Sequence, residues 1–361
     1  MINTKITTDE TITTSKKYSK LDLFLNWFFN TISPLELISI LFFFSVLLWM
    51  LFPIKPVSSE HYPFINGSFK YFFMYFGIVI IYFIYRNSKK LFRGHTIFKT
   101  AMKITFKMSP FITGTFIYEK LYYIIPSVNS YNFDIELYKI DSFILGDDAS
   151  KILEGLWSNT FIEVMGFFYI FYFLVLYLSF LKKFFRKDPL FDLFITGFGV
   201  TFLVAFFLNI VFPSLGPKFF FPSDFYNYDL VSGFWMNSCD NMIENLSGGY
   251  QAFPSLHFGG PAFILLFDFY HSKRRFWVWL VPTILVWLSA LFLRYHYIAD
   301  HIGGLIIVIF SLWFTPKLMI LYTKIANHYR EKTNVKYVRT YYMPLDYFIK
   351  NPKYHNKKEW L

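Results

Sequence analysis

His296 and Asp300 stand four residues apart in the stretch Arg294-Tyr295-His296-Tyr297-Ile298-Ala299-Asp300-His301. At a helix start that spacing puts both on one face. An aspartate so placed accepts the proton of one imidazole nitrogen and leaves the other free as a nucleophile. A second histidine, His257, closes the stretch Tyr250-Gln251-Ala252-Phe253-Pro254-Ser255-Leu256-His257. A third stretch reads Phe212-Pro213-Ser214-Leu215-Gly216-Pro217-Lys218. Lys218 and Arg294 offer a mobile and a forked positive charge for phosphate oxygens. Ser255, Gly259 and Gly260 allow close backbone approach. The chemistry these residues could run is exchange at phosphorus. His296 attacks, Asp300 orients and charges it, and His257 protonates the departing alkoxide. The phosphohistidine is then discharged to water or to another alcohol. Lys218, Arg294 and two helix N-termini neutralise the phosphate, so the scheme calls for no metal and no cofactor.

Each residue also has a plain reading. A single membrane histidine such as His257 often only packs between helices, a His–Asp pair can simply cap a helix, and Lys218 can snorkel to the interface. His301 lies off the His296–Asp300 edge. Both motifs at one membrane depth favour function, because ionisable groups in a bilayer are costly to keep.

The elements that position these residues follow from composition. Of 361 residues, 55% are hydrophobic and only 16% charged, against roughly a quarter charged in a soluble domain. The 50 Phe and 27 Tyr fall in long apolar runs, which reads as one all-α polytopic membrane bundle. Runs of about 20 apolar residues make spans; eight are expected, near 35–53, 69–85, 104–125, 160–181, 190–212, 256–271, 276–293 and 300–322. No internal repeat is visible, and the lone Cys239 excludes an intrachain disulfide.

Loop charges orient the bundle. One side receives the N-terminal tail with Lys5, Lys16, Lys17 and Lys20, the segment from Arg86 to Lys103, the cluster Lys182, Lys183, Arg186 and Lys187, then Lys273, Arg274 and Arg275. The tail from Lys317 to Lys358 adds ten more cations. The other side has Lys55, Lys139, Lys151, Lys218 and Arg294, with Asp134, Glu136, Asp141, Asp147, Asp148 and Glu154 in one loop. Both termini are therefore expected in the cytoplasm, with the three motifs outside. The net charge of +11 is spread over loops, so it implies a membrane surface and no nucleic acid. The polar segment 1–20 has no cleavable signal pattern, leaving the first span as the targeting signal. Asp141 to Gly146, with Asp147 and Asp148, reads as a short interfacial helix ending in a turn.

Pro254-Ser255-Leu256-His257, and Arg294-Tyr295-His296-Tyr297 through Asp300 and Gly303-Gly304, resemble the second and third motifs of the type 2 phosphatidic acid phosphatase superfamily. The likeness is nearer its inositol phosphorylceramide synthase-like branch and extends over about 115–315, with Tyr118-Glu119 and the Asp141–Gly146 stretch. It implies that His296 is the nucleophile, Asp300 its support and His257 the proton donor. Of the superfamily's first motif only Gly216-Pro217-Lys218 is present, and Ser289-Ala290 stands where a Ser-Arg pair opens the third. Arg294, two residues before the histidine, resembles the branch's alternative. The substrate phosphate is thus expected near Lys218, Arg294, Ser255 and Gly216.

The organisation expected is a polar tail and interfacial segment (1–34), two peripheral spans (35–100), a six-helix catalytic domain (101–322) and a basic tail (323–361). The expected function is a lipid phosphatase or phosphotransferase acting on a phospholipid, sphingolipid or polyprenyl phosphate at the outer face of a bacterial inner membrane. The alternative is a lipid transporter or scramblase that keeps the site only for binding. Here the Gly–Pro breaks cluster at the outer ends of the spans, whereas a transporter's broken helices would put them at mid-membrane depth.

Overall fold

The computed structural model describes residues 18–51, isolated positions between 73 and 128, and 129–341 apart from 231–232, 247–249, 338 and 340. Most of the expected N-terminal tail, most of the spans near 69–85 and 104–125, and the tail beyond 341 lie outside the described residues. Nine helices longer than a turn or two are described: α1 (Lys20–Thr31), α2 (Pro34–Leu51), α3 (Asp134–Leu145), α4 (Asn159–Phe185), α5 (Phe191–Val211), α6 (Phe234–Leu246), α7 (Leu256–His271), α8 (Lys273–Phe292) and α9 (Ile298–Thr333). No strand forms among the described residues; one extended pairing, Ser214 with Gln251, joins two loops.

The chain is an all-α membrane bundle. Of the described helices, α4, α5, α8 and α9 are long and apolar enough to cross a membrane. The pair α1 and the first half of α2, bent by 98°, adds a fifth if counted as one span. At 16 residues, α7 is about 24 Å long, short of a hydrocarbon core of about 30 Å. It is nonetheless central: Ala262, Phe263, Ile264 and Phe267 are buried. Phe194 and Phe198 of α5 meet Phe263 and Phe267 of α7 at ring centroids 5.3–6.0 Å apart. The excess of phenylalanine is thus partly the core itself, packed by offset and edge contacts.

At 36 residues, α9 is about 54 Å long and overruns the bilayer. Its far end is held by α1, a helix within the segment 1–34 expected to be polar tail and interfacial. Buried Asn26 donates to Thr333 and to the Val335 carbonyl, Asn30 donates to the Ala326 carbonyl, and the Tyr322 hydroxyl donates to the Ile32 carbonyl. Where α9 begins it crosses the start of α7 closely. A Cβ on Gly304 would sit 2.8 Å from the Ser255 carbonyl oxygen, and one on Gly303 would sit 2.6 Å from the Phe253 ring. The tight approach therefore lies at Gly303-Gly304, whereas Gly259 meets only ordinary contacts, the nearest at 3.7 Å.

Candidate active site

His296 sits in the short link between α8 and α9, and Asp300 lies in the first turn of α9. His296 Nδ1 is 3.1 Å from Asp300 Oδ2, which also accepts the Tyr297 backbone N–H at 2.9 Å. Asp300 is fully buried and His296 is 6% exposed. With Nδ1 engaged, Nε2 is the imidazole nitrogen left for another partner. His257, in the first turn of α7, has its ring 5.9 Å from that of His296. It is clamped between two α4 rings, Tyr169 at 3.9 Å and Tyr172 at 4.3 Å. His257 Nε2 is buried without a hydrogen-bond partner. His301 stacks on Phe258, its ring 6.1 Å from His296.

His257 and His296 line a cavity of about 150 Å³ whose other walls are mostly apolar, among them Tyr118, Phe173, Phe202, Phe206 and Leu256. The N-terminus of α7 opens onto it through Leu256 and His257, an orientation that favours an anion. Of the described pockets, this one joins two imidazoles to an apolar chamber, as a polar headgroup ester with a hydrocarbon tail requires.

The residues expected to bind phosphate do not line this cavity. Lys218 forms an ion pair with Asp240 of α6, and Asp240 also accepts the Tyr295 hydroxyl. The Lys218 ammonium lies 5.1 Å from the centre of the Tyr295 ring, a residue that does line the cavity. The Arg294 guanidinium lies between Tyr226 at 3.7 Å and Trp157 at 4.2 Å, 3.5 Å from Glu154, and donates to the Tyr228 carbonyl. Its backbone takes the left-handed region at φ 63°, turning the chain from α8 into the His296 link. Ser255 caps α7 by accepting the Phe258 N–H at 3.2 Å, and its own N–H donates to the Asp300 carbonyl at 3.1 Å. Gly216, at φ 85°, lies so close to the link that a Cβ would stand 2.4 Å from the Tyr295 carbonyl oxygen.

Backbone bonds stitch the three stretches together. Lys218 N–H donates to the Arg294 carbonyl at 2.7 Å, Ala252 N–H donates to the Ser214 carbonyl at 3.0 Å, and Phe253 N–H donates to Ser214 Oγ at 2.8 Å. Buried Asn209, at the end of α5, donates to the Phe253 carbonyl at 2.8 Å. Two carboxylates on α3 complete the frame. Asp134 accepts the N–H groups of Leu215 and Gly216 and the Tyr297 hydroxyl, at 2.7, 2.8 and 3.0 Å. Asp141 accepts the N–H groups of Ile298 and Ala299, both at 2.9 Å, capping α9 from outside the helix. Both aspartates belong to the acidic loop, and the short helix expected from Asp141 begins seven residues earlier, at Asp134. Periodicity could not show this, because the acceptors' partners are backbone groups 81 to 158 positions away.

Burial pushes Asp141 up to about 7 from an ordinary carboxylate value of 3.8. Between those values the folded chain holds a proton that the unfolded chain has released. This contribution to stability is therefore fully present below about pH 4 and is lost as pH rises through about 7. We expect the thermal midpoint of the purified chain to fall more steeply from pH 4.5 to 7.5 than that of Asp141→Asn, which cannot titrate there. Parallel curves would place the Asp141 titration outside that window.

Residues 136–314 match the model of the PAP2 superfamily. A PA-phosphatase related-family protein of Dictyostelium discoideum is 27% identical over 139 residues, covering 36% of this chain. The matched segment spans only 25% of that protein's length. No solved structure matches the chain at a significant level.

Proposed function

We propose that this chain, which carries a PAP2 superfamily domain, is an integral-membrane lipid phosphatase or phosphotransferase working through a phosphohistidine at His296. The observation that carries the reading is the His296–Asp300 bond, with His257 opposite it across an apolar cavity. Asp300 fixes the imidazole through Nδ1, so Nε2 attacks phosphorus. The bond from phosphorus to the lipid oxygen breaks, and His257 gives that oxygen a proton. The clamp of Tyr169 and Tyr172 holds the His257 ring in place while it does so. Water or an alcohol then gives up its proton to His257 and takes the phosphoryl group from His296.

Charge on the phosphate is met by the N-terminus of α7 and by Lys218, which exchanges Asp240 for a phosphate oxygen. Arg294, fixed among Tyr226, Trp157 and Glu154, adds positive potential behind His296. Ser255 and Gly216 hold the backbone at the distance the phosphate needs. The apolar walls favour a lipid ester over a soluble phosphate. In the finer form of the reading, the site faces outward and the acceptor is an alcohol, as in inositol phosphorylceramide synthase-like transfer.

Product analysis tests the choice of acceptor. Purified protein is given labelled phosphatidic acid and, separately, phosphatidylinositol with ceramide. Free phosphate from the first alone fits a phosphatase. Labelled phosphoinositol on ceramide from the second fits a transferase. Unchanged lipid in both, with wild type and His296→Ala binding lipid equally, would move the assignment to a lipid carrier.

A further inference from the structure

The end of the bundle away from His296 holds a second polar chamber that the reaction does not use. It lies between the α4–α5 loop and the α7–α8 turn and has a volume of about 210 Å³, far above the roughly 10–15 Å³ one water needs. From His257 to His271 along α7 is roughly 20 Å, so it is separate from the histidine cavity.

Its floor is a fixed charge network. Lys183, 2% exposed although charged, pairs with Asp268 at 3.2 Å and Asp188 at 3.4 Å. Asp268 is fully buried and also receives Arg275 Nε at 2.8 Å. The guanidinium is thereby locked by one edge, while Arg275 Nη2 has no hydrogen-bond partner. Lys182 and Arg186 line the same chamber and are exposed. Four cations, Lys182, Lys183, Arg186 and Arg275, thus meet two carboxylates, Asp188 and Asp268. Loop cations alone would follow from membrane insertion. Insertion does not require a lysine buried in a chamber wall or an arginine oriented by a buried aspartate.

We propose that this chamber binds a phosphate group, with the Arg275 fork and Lys182 and Arg186 as its ligands. Guanidinium and ammonium groups converging on a cavity at headgroup depth match the oxygens of a phosphomonoester. The group comes from an anionic lipid of that leaflet or from free phosphate, and the two sources give different results below.

Native mass spectrometry of the full chain counts bound short-chain phosphatidic acid and, in a separate titration, inorganic phosphate. The variants are Lys182→Gln/Arg186→Gln, both exposed positions, and His296→Ala, with thermal midpoints confirming that each folds. One binding event is expected to weaken roughly 30-fold in the double variant, about fivefold per cation, and to persist in His296→Ala. That event with both probes assigns recognition to the phosphate itself; with phosphatidic acid alone, it assigns it to a lipid headgroup. Unweakened binding of both probes in the double variant, or equal occupancy by phosphatidylcholine, overturns the site. Because the readout is binding at the α4–α5 loop, it stands or falls independently of any turnover at His296.

Discussion

Replacing His296 with alanine should lower phosphate release from a lipid phosphate by about 10⁴-fold or more, since the proposed phosphoryl acceptor is removed. The fold should survive. His296 is anchored through one side-chain bond to Asp300, and the link around it is held by backbone bonds and by Asp134 and Asp141. Asp300→Asn should cost about 10²–10⁴-fold, because an amide can no longer charge the imidazole or enforce its tautomer. The Asn oxygen can still accept the Tyr297 N–H, so the thermal midpoint should move little. Steady-state rates beside thermal midpoints separate the two effects. A Asp300→Asn protein that loses stability in proportion to activity would mark the pair as a helix cap.

The second large effect concerns His257. With a simple alkyl lipid ester, His257→Gln should slow turnover by about 10²–10⁴-fold, the usual contribution of a general acid. With an aryl phosphate whose leaving group needs no proton, the loss should shrink to less than about tenfold. His257 is clamped between Tyr169 and Tyr172, so a purely packing role predicts the same loss on both substrates. The ratio of the two losses therefore decides what His257 does.

Much of this arrangement could be read directly. The expected spans near 160–181, 190–212, 256–271, 276–293 and 300–322 correspond to α4, α5, α7, α8 and α9 within a few residues at most of their ends, because apolar runs bounded by charged loops leave little freedom. The far end of α9 is the exception: it runs on to Thr333, past the apolar run, because α1 supports it. His257 and His296 were expected at one depth from the out-and-back path of α7 and α8, and their rings lie 5.9 Å apart.

Partnerships between the segments at the His296 end of the bundle were hidden. Lys218 and Arg294 are expected from the sequence to meet phosphate, yet Asp240 of α6 meets the first and Glu154 the second, pairings across loops that helical spacing cannot show. Tyr169 and Tyr172 were lost in a general excess of aromatic residues, though their spacing of three puts both on the α4 face that holds His257. Asp134 and Asp141 carry the frame through backbone donors, which every residue type but proline offers. The loop cations Lys182, Lys183, Arg186 and Arg275 carry only an orientation signal in the sequence, since buried Asp268 stands far from the first three of them in the chain.

The most direct measurement is rapid quenching of the enzyme during turnover of a ³²P-labelled lipid phosphate, followed by peptide mapping. The account predicts an acid-labile, alkali-stable label on the peptide containing His296, absent from His296→Ala and discharged when the acceptor is supplied. Turnover that proceeds with no label on that peptide, or with an acid-stable label elsewhere, would contradict the phosphohistidine at His296.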